Sequence, residues 1–326
     1  MRGWLVSDKG SADLVDDLPE PECGDGEMVV QVEAAAANYA DRLLIDGKHQ
    51  IRPRRPFTAG LEVAGTVIDS RADGFAIGTQ VTGLVEPGSG CWAERCRVTP
   101  DDVIVVPRGV DPVDAVAINL NAQTVWLALH HRCAVAPGDV VVVHAAAGGV
   151  GTMAVQLAVA AGARVLATCS EPKMDVPRSL GADVVVDNRS DDWHHVLDDA
   201  APGGVDIVID PVGGELFERS LKLLRFEGRL VTVGFTSGTI PSLAANYALV
   251  KNLSLIGVFW EPYAAHRPEL VQRAADEIFT LHRNGHLDAC VTVIDHFDAA
   301  LDRVDAIAAG TTTGKTVLVW DDRRMG

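Results

Sequence analysis

The stretch VVVVHAAAGGVGTMAVQLAVAAGARVLATCS, residues 140–170, decides how this chain is read. Four valines run into Ala145-Ala146-Ala147-Gly148-Gly149-Val150-Gly151, and an apolar segment of helical composition follows. A second apolar run opens at Arg164. Strand, glycine turn, helix and second strand make one βαβ unit of a parallel sheet. Written A-x-x-G-x-x-G, the turn matches a dinucleotide-binding fingerprint with alanine in the first glycine place. A side chain at Gly148 or Gly149 would hold a pyrophosphate away from the backbone, and Gly151 lets the helix pack closely on the sheet. Amides at the helix N-terminus, including those of Gly149 and Val150, then face the phosphates without help from a lysine.

Cofactor choice is expected to lie at the end of the second strand, where readers of NAD place an acid on the ribose hydroxyls. Here the strand ends Ala-Thr-Cys-Ser and continues Glu-Pro-Lys. No carboxylate closes it, and Ser170 and Lys173 suit a 2′-phosphate, so NADPH is the expected cofactor. Glu171 leaves a contact to the ribose open.

Beyond residue 120 the alternation continues, with strands expected at 184–186, 206–209 and 229–233 and helices near 174–180, 191–200 and 216–224. The run LSLIGVFW at 253–260 extends the same sheet. The segment at 268–287 has Pro268 at its start, Gly285 past its end, and apolar residues at helical spacing, which predicts an amphipathic helix. Before residue 120 the texture is β-rich: short apolar or alternating runs at 28–37, 63–70, 79–85 and 102–107, punctuated by Gly, Pro and Asp. NYADRLLIDG, residues 38–47, reads as one short helix. The run KTVLVW near the C-terminus is a last strand expected to return to this half. The fold class is therefore α/β, a doubly wound parallel-sheet domain inserted into a discontinuous β-rich domain. Residues 120–261 form the first, 1–119 plus 262–326 the second, and the crevice between them is the expected site.

Composition narrows the partners. Of 326 residues, 48% are hydrophobic and 22% charged, enough apolar material for two cores. A formal net charge of −17 argues against nucleic acid and anionic membrane as main partners. Apolar runs are interrupted well short of a membrane span, and residues 4–6 are too short for the apolar part of a signal peptide. Six scattered cysteines with no CxxC pair suit reduced thiols in a cytoplasmic protein.

The motifs AANYADRLLIDG, PFTAGLEVAGTV, NAQTVWLAL, VVVHAAAGGVGTMAVQLA, DIVIDPVGGELFERSLKLLRFEGRLVTVGFTSGTIP, KNLSLIGVFW and TTGKTVLVW run through nearly the whole chain. Together they resemble the zinc-free, ζ-crystallin-like quinone oxidoreductase branch of the medium-chain dehydrogenase/reductase superfamily. The resemblance implies a GroES-like catalytic domain holding a Rossmann-like domain, usually in a homodimer. It also implies hydride transfer from NADPH to a quinone or another α,β-unsaturated carbonyl. Zinc alcohol dehydrogenases of the same superfamily carry Cys, Gly-His-Glu and a second Cys or Asp. Asn38, Gly60-Leu61-Glu62 and Leu120 stand at those places, and Glu62 alone cannot supply a zinc site, so no metal is expected.

Without a Lewis acid, hydrogen bonds must polarise the substrate. The resemblance points to Asn38 and Asp41 as the catalytic pair, while Asn38 also reads as the N-cap of its helix. Relatives often carry tyrosines where Leu43 and His49 stand, which leaves the proton donor unassigned. The remaining cofactor positions implied are Thr124, Asp210, Val212, Gly234, Phe235, Ser237, Val258, Phe259, Trp260, Gly314 and Lys315; core packing is the alternative for the apolar ones. Relative to the family, the segment after the second strand is one residue shorter and Pro177 should shorten its helix. Asn188 stands where relatives often have Tyr, and Arg189 beside it is a further candidate for the 2′-phosphate. A 2-alkenal or enoyl-thioester reductase, a non-catalytic NADPH-binding or structural protein, and a zinc-free alcohol or sugar reductase remain open. The basic IRPRRPF segment suits either an anionic substrate or solvent.

Overall fold

The computed structural model describes residues 1–320. In chain order the elements are β1 (Gly3–Val6), β2 (Asp13–Val15), β3 (Met28–Ala37), α1 (Tyr39–Ile45), β4 (Phe57–Thr58), β5 (Glu62–Ser70), β6 (Gln80–Leu84), β7 (Arg95–Val98), β8 (Val103–Val105) and α2 (Pro112–Trp126). There follow β9 (Val140–Val143), α3 (Gly149–Ala160), β10 (Arg164–Cys169), α4 (Asp175–Ser179), β11 (Val184–Asp187), α5 (Trp193–Ala200), β12 (Val205–Asp210), α6 (Gly214–Leu223), β13 (Leu224–Thr232), α7 (Ala245–Lys251) and β14 (Ser254–Gly257). The last are α8 (Glu261–His266), α9 (Pro268–Arg283), β15 (Val291–His296), α10 (Ala300–Ala308) and β16 (Lys315–Val319).

Two compact units result. One comprises Met1–Leu120, Ala264–Phe279 and residues 289 onward; the other comprises Asn121–Tyr263 and Thr280–Asp288. The stretch Thr280–Asp288 groups with the second unit, where the Gln156 side chain holds both the N–H and the carbonyl of Asp288.

The first unit is a mainly antiparallel sheet in the order β15-β16-β3-β5-β6-β8, with β7 also on β3, beside a small sheet β2-β1-β4. Register matters most at one end. Thr316 pairs with Ala37 across β16 and β3, and Glu62 pairs with Ala36 across β5 and β3. The first residues of β5 and β16 therefore lie beside the end of β3, where the chain turns into α1. Val30, Val63, Val67, Trp92, Phe297 and Leu318 pack in its core. Trp4 Nε1 donates to the Phe297 carbonyl and Trp92 Nε1 to that of Ala36, so each buried indole N–H has a partner.

The second unit is an all-parallel sheet in the order β11-β10-β9-β12-β13-β14. Its central strands read as continuous apolar runs because helices cover both faces, and β12 is buried at every residue. Val142, Leu166, Val208, Leu230, Trp193, Leu197 and Phe217 form its core. No helix among the described residues is long and apolar enough to cross a membrane.

Three elements differ from the sequence reading. Helix α2 starts at Pro112, ahead of the NAQTVWLAL motif, with Asp111 accepting the Val113 N–H as its cap, an Asp-Pro start signal. Strand β13 begins at Leu224, five residues early, and carries an irregularity with Glu227 at φ +61°. The run VTVIDH is a strand, β15, which pairs in parallel with β16. As Pro177 implied, α4 is only five residues long.

Candidate functional site

The fingerprint turn has the required shape. Ala145 takes φ +48°, the left-handed conformation that a glycine would adopt without steric cost in the first fingerprint place. Gly148 is the extended N-cap of α3. A Cβ on Gly151 would overlap the Ala145 carbonyl oxygen and come within 2.6 Å of Ala146 Cα, so this position is closed to any side chain. A Cβ on Gly148 would meet only the Ala145 oxygen, at 3.4 Å, an ordinary contact. Packing demands glycine at 151; at 148 it leaves room, and a ligand is what would need that room. Helical geometry leaves the N–H groups of Gly149, Val150 and Gly151 without intrahelical acceptors.

His144 anchors the turn from behind. It is fully buried and bonds to Ser220 Oγ at 2.6 Å and Thr168 Oγ1 at 2.8 Å. Ser220 Oγ spends its proton on the Leu216 carbonyl and can only accept from the imidazole. His144 therefore carries its proton on Nε2 and accepts at Nδ1 from Thr168. Burial pushes its pKa down, against the pull of the Asp210 charge, so the ring is neutral.

At the end of β10, Ser170 is half-buried and stands just before a single 3-10 turn, Glu171–Lys173, with no capping bond from its hydroxyl. Glu171 is exposed. Lys173 is partly buried, and burial lowers its pKa; the neighbouring Cys169 raises it and the like charge of Arg189 lowers it further. Lys173 and Arg189 are thus within electrostatic reach of one another beyond the ends of β10 and β11. Asn188 lies there too, with its buried Oδ1 lacking a hydrogen-bond partner.

Asp210, at the end of β12, is buried, and its Oδ1 accepts from the N–H groups of Val212 and Gly213. Its carboxylate thereby shapes its own turn. Ser237 Oγ donates to the Val212 carbonyl, and Gly214 N–H to that of Thr239, which stitches the loop of Gly234, Phe235 and Ser237 to that turn. Val258 is buried and donates its N–H to the Thr232 carbonyl, Phe259 is exposed, and buried Trp260 donates Nε1 to Gln123 beside half-buried Thr124.

The first unit gathers the other polar cluster. Asn38 stands at the N-cap position of α1, and its N–H is held by Asp41 Oδ2 at 2.8 Å. Its carboxamide is held from both sides: Lys315 Nζ donates to Oδ1 at 2.8 Å, and Nδ2 donates to Glu62 Oε2 at 3.2 Å. Lys315 also donates to Glu62 Oε2 at 2.8 Å, and the Leu120 N–H donates to Glu62 Oε1. Glu62 and Lys315 are both buried, a closed ion pair. Asp41 is buried with Oδ1 unpartnered. Burial pushes its carboxyl up to about 7, opposed by the Asn38 N–H and the Lys315 charge and reinforced by the Glu62 charge. Gly314, before Lys315, takes φ +51°, and a Cβ there would overlap the Cys290 carbonyl oxygen. His49 is buried and accepts the Ile51 N–H at Nδ1; burial lowers its pKa. Arg55 binds the Ile45 carbonyl, while Arg52 and Arg54 of the basic segment are exposed.

Comparison with known proteins agrees with this architecture. The family model for the alcohol dehydrogenase GroES-like domain matches residues 24–108, and that for zinc-binding dehydrogenase matches residues 149–276. The bovine quinone oxidoreductase-like protein 2 is 32% identical over 90% of this chain and 84% of its own length. A quinone oxidoreductase-like protein 2 homolog of Nematostella vectensis is 29% identical over 97% of this chain and 88% of its own length. The solved quinone oxidoreductase of Thermus thermophilus, described also in complex with NADPH, is 35% identical with a TM-score of 0.82, over 98% of this chain and 100% of that one. This chain belongs to the zinc-free quinone oxidoreductase branch of the medium-chain dehydrogenase/reductase superfamily. As a member of that branch it is an oxidoreductase.

The residues set against zinc ligands do not form a zinc donor set. Asn38, Leu61 and Leu120 contribute one amide and two alkyl side chains, and both oxygens of Glu62 are taken by N–H donors. Among the described residues no group of three or more His, Cys, Asp or Glu could hold a metal. Lys315, expected at the cofactor, has its ammonium bound to Glu62 and Asn38. The Glu62–Lys315 pair and the His144 network were missed from sequence. The signal for the first was present: a lone Glu and a lone Lys each open an apolar strand, and burial requires such charges to meet.

Proposed function

We propose that this chain is an NADPH-dependent quinone oxidoreductase that passes hydride to a quinone or another α,β-unsaturated carbonyl without zinc. The observation that carries the reading is the open space above Gly148 at the α3 N-terminus, with the free amides of Gly149, Val150 and Gly151 beside it. These residues would hold the pyrophosphate. Ser170, Lys173 and Arg189 would hold the 2′-phosphate, where like charge already gathers with no ribose-binding carboxylate on the strand end. Thr124, Val212, Gly234, Phe235, Ser237, Val258, Phe259 and Trp260 would line the rest of the cofactor, with Asp210 setting the backbone beside Val212; Gly314 would contribute from the other unit. When bound, NADPH supplies the hydride.

Asn38 would hydrogen-bond the acceptor, using the second N–H of Nδ2 that Glu62 leaves unused. Asp41, near its midpoint at neutral pH, would exchange a proton at its carboxyl next to Asn38. A quinone accepts hydride at oxygen or carbon and needs only modest proton assistance, which fits a site with leucine at position 43. Among the described residues the parallel sheet ends at β14, next to exposed Phe226, Leu249, Val250 and Leu255, and this edge supports a homodimer.

The test is NADPH oxidation with a panel of quinones and enals, alongside binding of NADPH and NADH. Turnover with quinones and tighter NADPH binding are expected. Tight NADPH binding with no turnover of any acceptor would replace this reading with a non-catalytic one.

A further inference from the structure

We propose that Lys315 and Glu62 are positioning residues for the reduction, acting through the Asn38 carboxamide. The proposal rests on the reading that Asn38 meets the acceptor. An amide side chain can sit in two orientations of nearly equal shape. At Asn38 only one is compatible with its neighbours. Its oxygen faces the Lys315 ammonium at 2.8 Å and its nitrogen faces the Glu62 carboxylate at 3.2 Å. Turned over, the amide would place N–H groups against an ammonium and a carbonyl against a carboxylate, repulsive on both sides at hydrogen-bond distance. One N–H of Nδ2 and one lone pair of Oδ1 remain, and their directions are fixed by the pair behind them.

Fold stability does not account for the pair. A buried ion pair sacrifices the hydration of both charges, and apolar replacement of such pairs is often neutral or stabilising. Here the two charges open buried stretches of strand, Glu62 before Val63-Ala64 and Lys315 before Thr316-Val317-Leu318-Val319. They meet because β5 and β16 flank β3 in a register that brings both beside Asn38. The Leu120 N–H holds the far oxygen of Glu62, so the carboxylate cannot swing away. Backbone and side chain of Asn38 are therefore fixed independently, the first by Asp41 and the second by Lys315 and Glu62.

The test is a double-mutant cycle in the full-length chain. The charge-free pair Glu62→Gln with Lys315→Met is combined with Asn38→Ala, and kcat and KM are read with 1,4-naphthoquinone as acceptor. The paired variant is expected to keep its affinity for NADPH within about twofold and to lose kcat by about tenfold or more. Asn38→Ala should lower kcat in the wild-type background and by less than about twofold further in the paired variant, because the residues act as one unit. Lys315→Arg, which retains charge and donors, should recover most of the rate. The Asn38 side-chain amide resonances give a readout apart from turnover: two protons displaced from the shifts of a solvent-exposed Asn in the wild type, moving back toward those shifts in the paired variant. Should the paired variant not fold, Glu62→Gln alone takes its place in the cycle. An unchanged kcat in the paired variant, or an Asn38→Ala loss that multiplies undiminished in both backgrounds, overturns the proposal. If Asn38→Ala alone leaves kcat unchanged, it is the functional reading of Asn38 that has failed, and the positioning role falls with it.

Discussion

Asp41 carries its carboxyl into the interior with one oxygen unpartnered. Its pKa rises from 3.8 to about 7, so between those values the unfolded chain has lost a proton that the folded chain keeps. Stability therefore falls as pH rises through that window and levels off above it. Asp41→Asn keeps an acceptor for the Asn38 N–H but cannot ionise. Its stability relative to wild type should increase from pH about 4 to about 7, by up to a few kcal/mol, as chemical denaturation at several pH values would show. A pH-independent difference would refute the shift. The two fingerprint glycines separate fold from ligand. Gly151→Ala forces a methyl into backbone and should destabilise the chain by about 1–3 kcal/mol. Gly148→Ala has room, so it should change thermal stability little, by roughly 0.5 kcal/mol or less, yet weaken NADPH binding about tenfold or more. If both variants lose stability equally, the open space at Gly148 is not a ligand's.

On the scale of elements, His144 ties the end of β9 to β10 through Thr168 and to α6 through Ser220. Replacing it with Leu leaves the Thr168 hydroxyl buried without its acceptor, and a loss of about 1–3 kcal/mol is expected in a denaturant titration. A loss near zero would mean that water or a relaxed rotamer satisfies Thr168. The ends of β10 and β11 set cofactor choice. Lys173→Ala combined with Arg189→Ala should weaken NADPH far more than NADH, lowering the preference by about tenfold or more. Calorimetry with the two cofactors reads this directly, and equal weakening of both would remove these cations from the 2′-phosphate site.

For the whole molecule, the proposed homodimer follows from the sheet edge. Among the described residues strand β14 ends the parallel sheet with one side unpaired, and α7 packs on β13 next to it. Leu249 and Val250 on α7 are 76% and 79% exposed, more than side chains of this size usually are in a monomer. Sedimentation of the wild type should give a dimer, and Val250→Asp with Leu255→Lys should shift it to monomer without loss of NADPH binding. A wild-type monomer at micromolar concentration would leave that edge without its proposed partner. The formal charge of −17 keeps such molecules apart elsewhere on their surfaces and directs association to the apolar edge.

The parallel-sheet unit was legible because its information is local. Apolar runs of strand length, a turn that tolerates only glycine at 151 and the apolar helix that follows it each declare themselves within a few residues. Strand β15 and the early start of α2 were less legible, one an edge strand of mixed burial, the other announced only by Asp111-Pro112. The polar cluster of the first unit was half-visible. Asn38 and Asp41 lie three residues apart and were picked out together, through a resemblance. That Lys315 would meet Glu62 and Asn38, 253 and 277 residues away, depended on the register of β16 and β5 on β3. Chain pattern specifies which residues must leave water; the pairing of strands specifies which buried charge finds which partner. Lys315 was placed by the resemblance; that its ammonium meets Glu62 and Asn38 was decided by strand pairing alone.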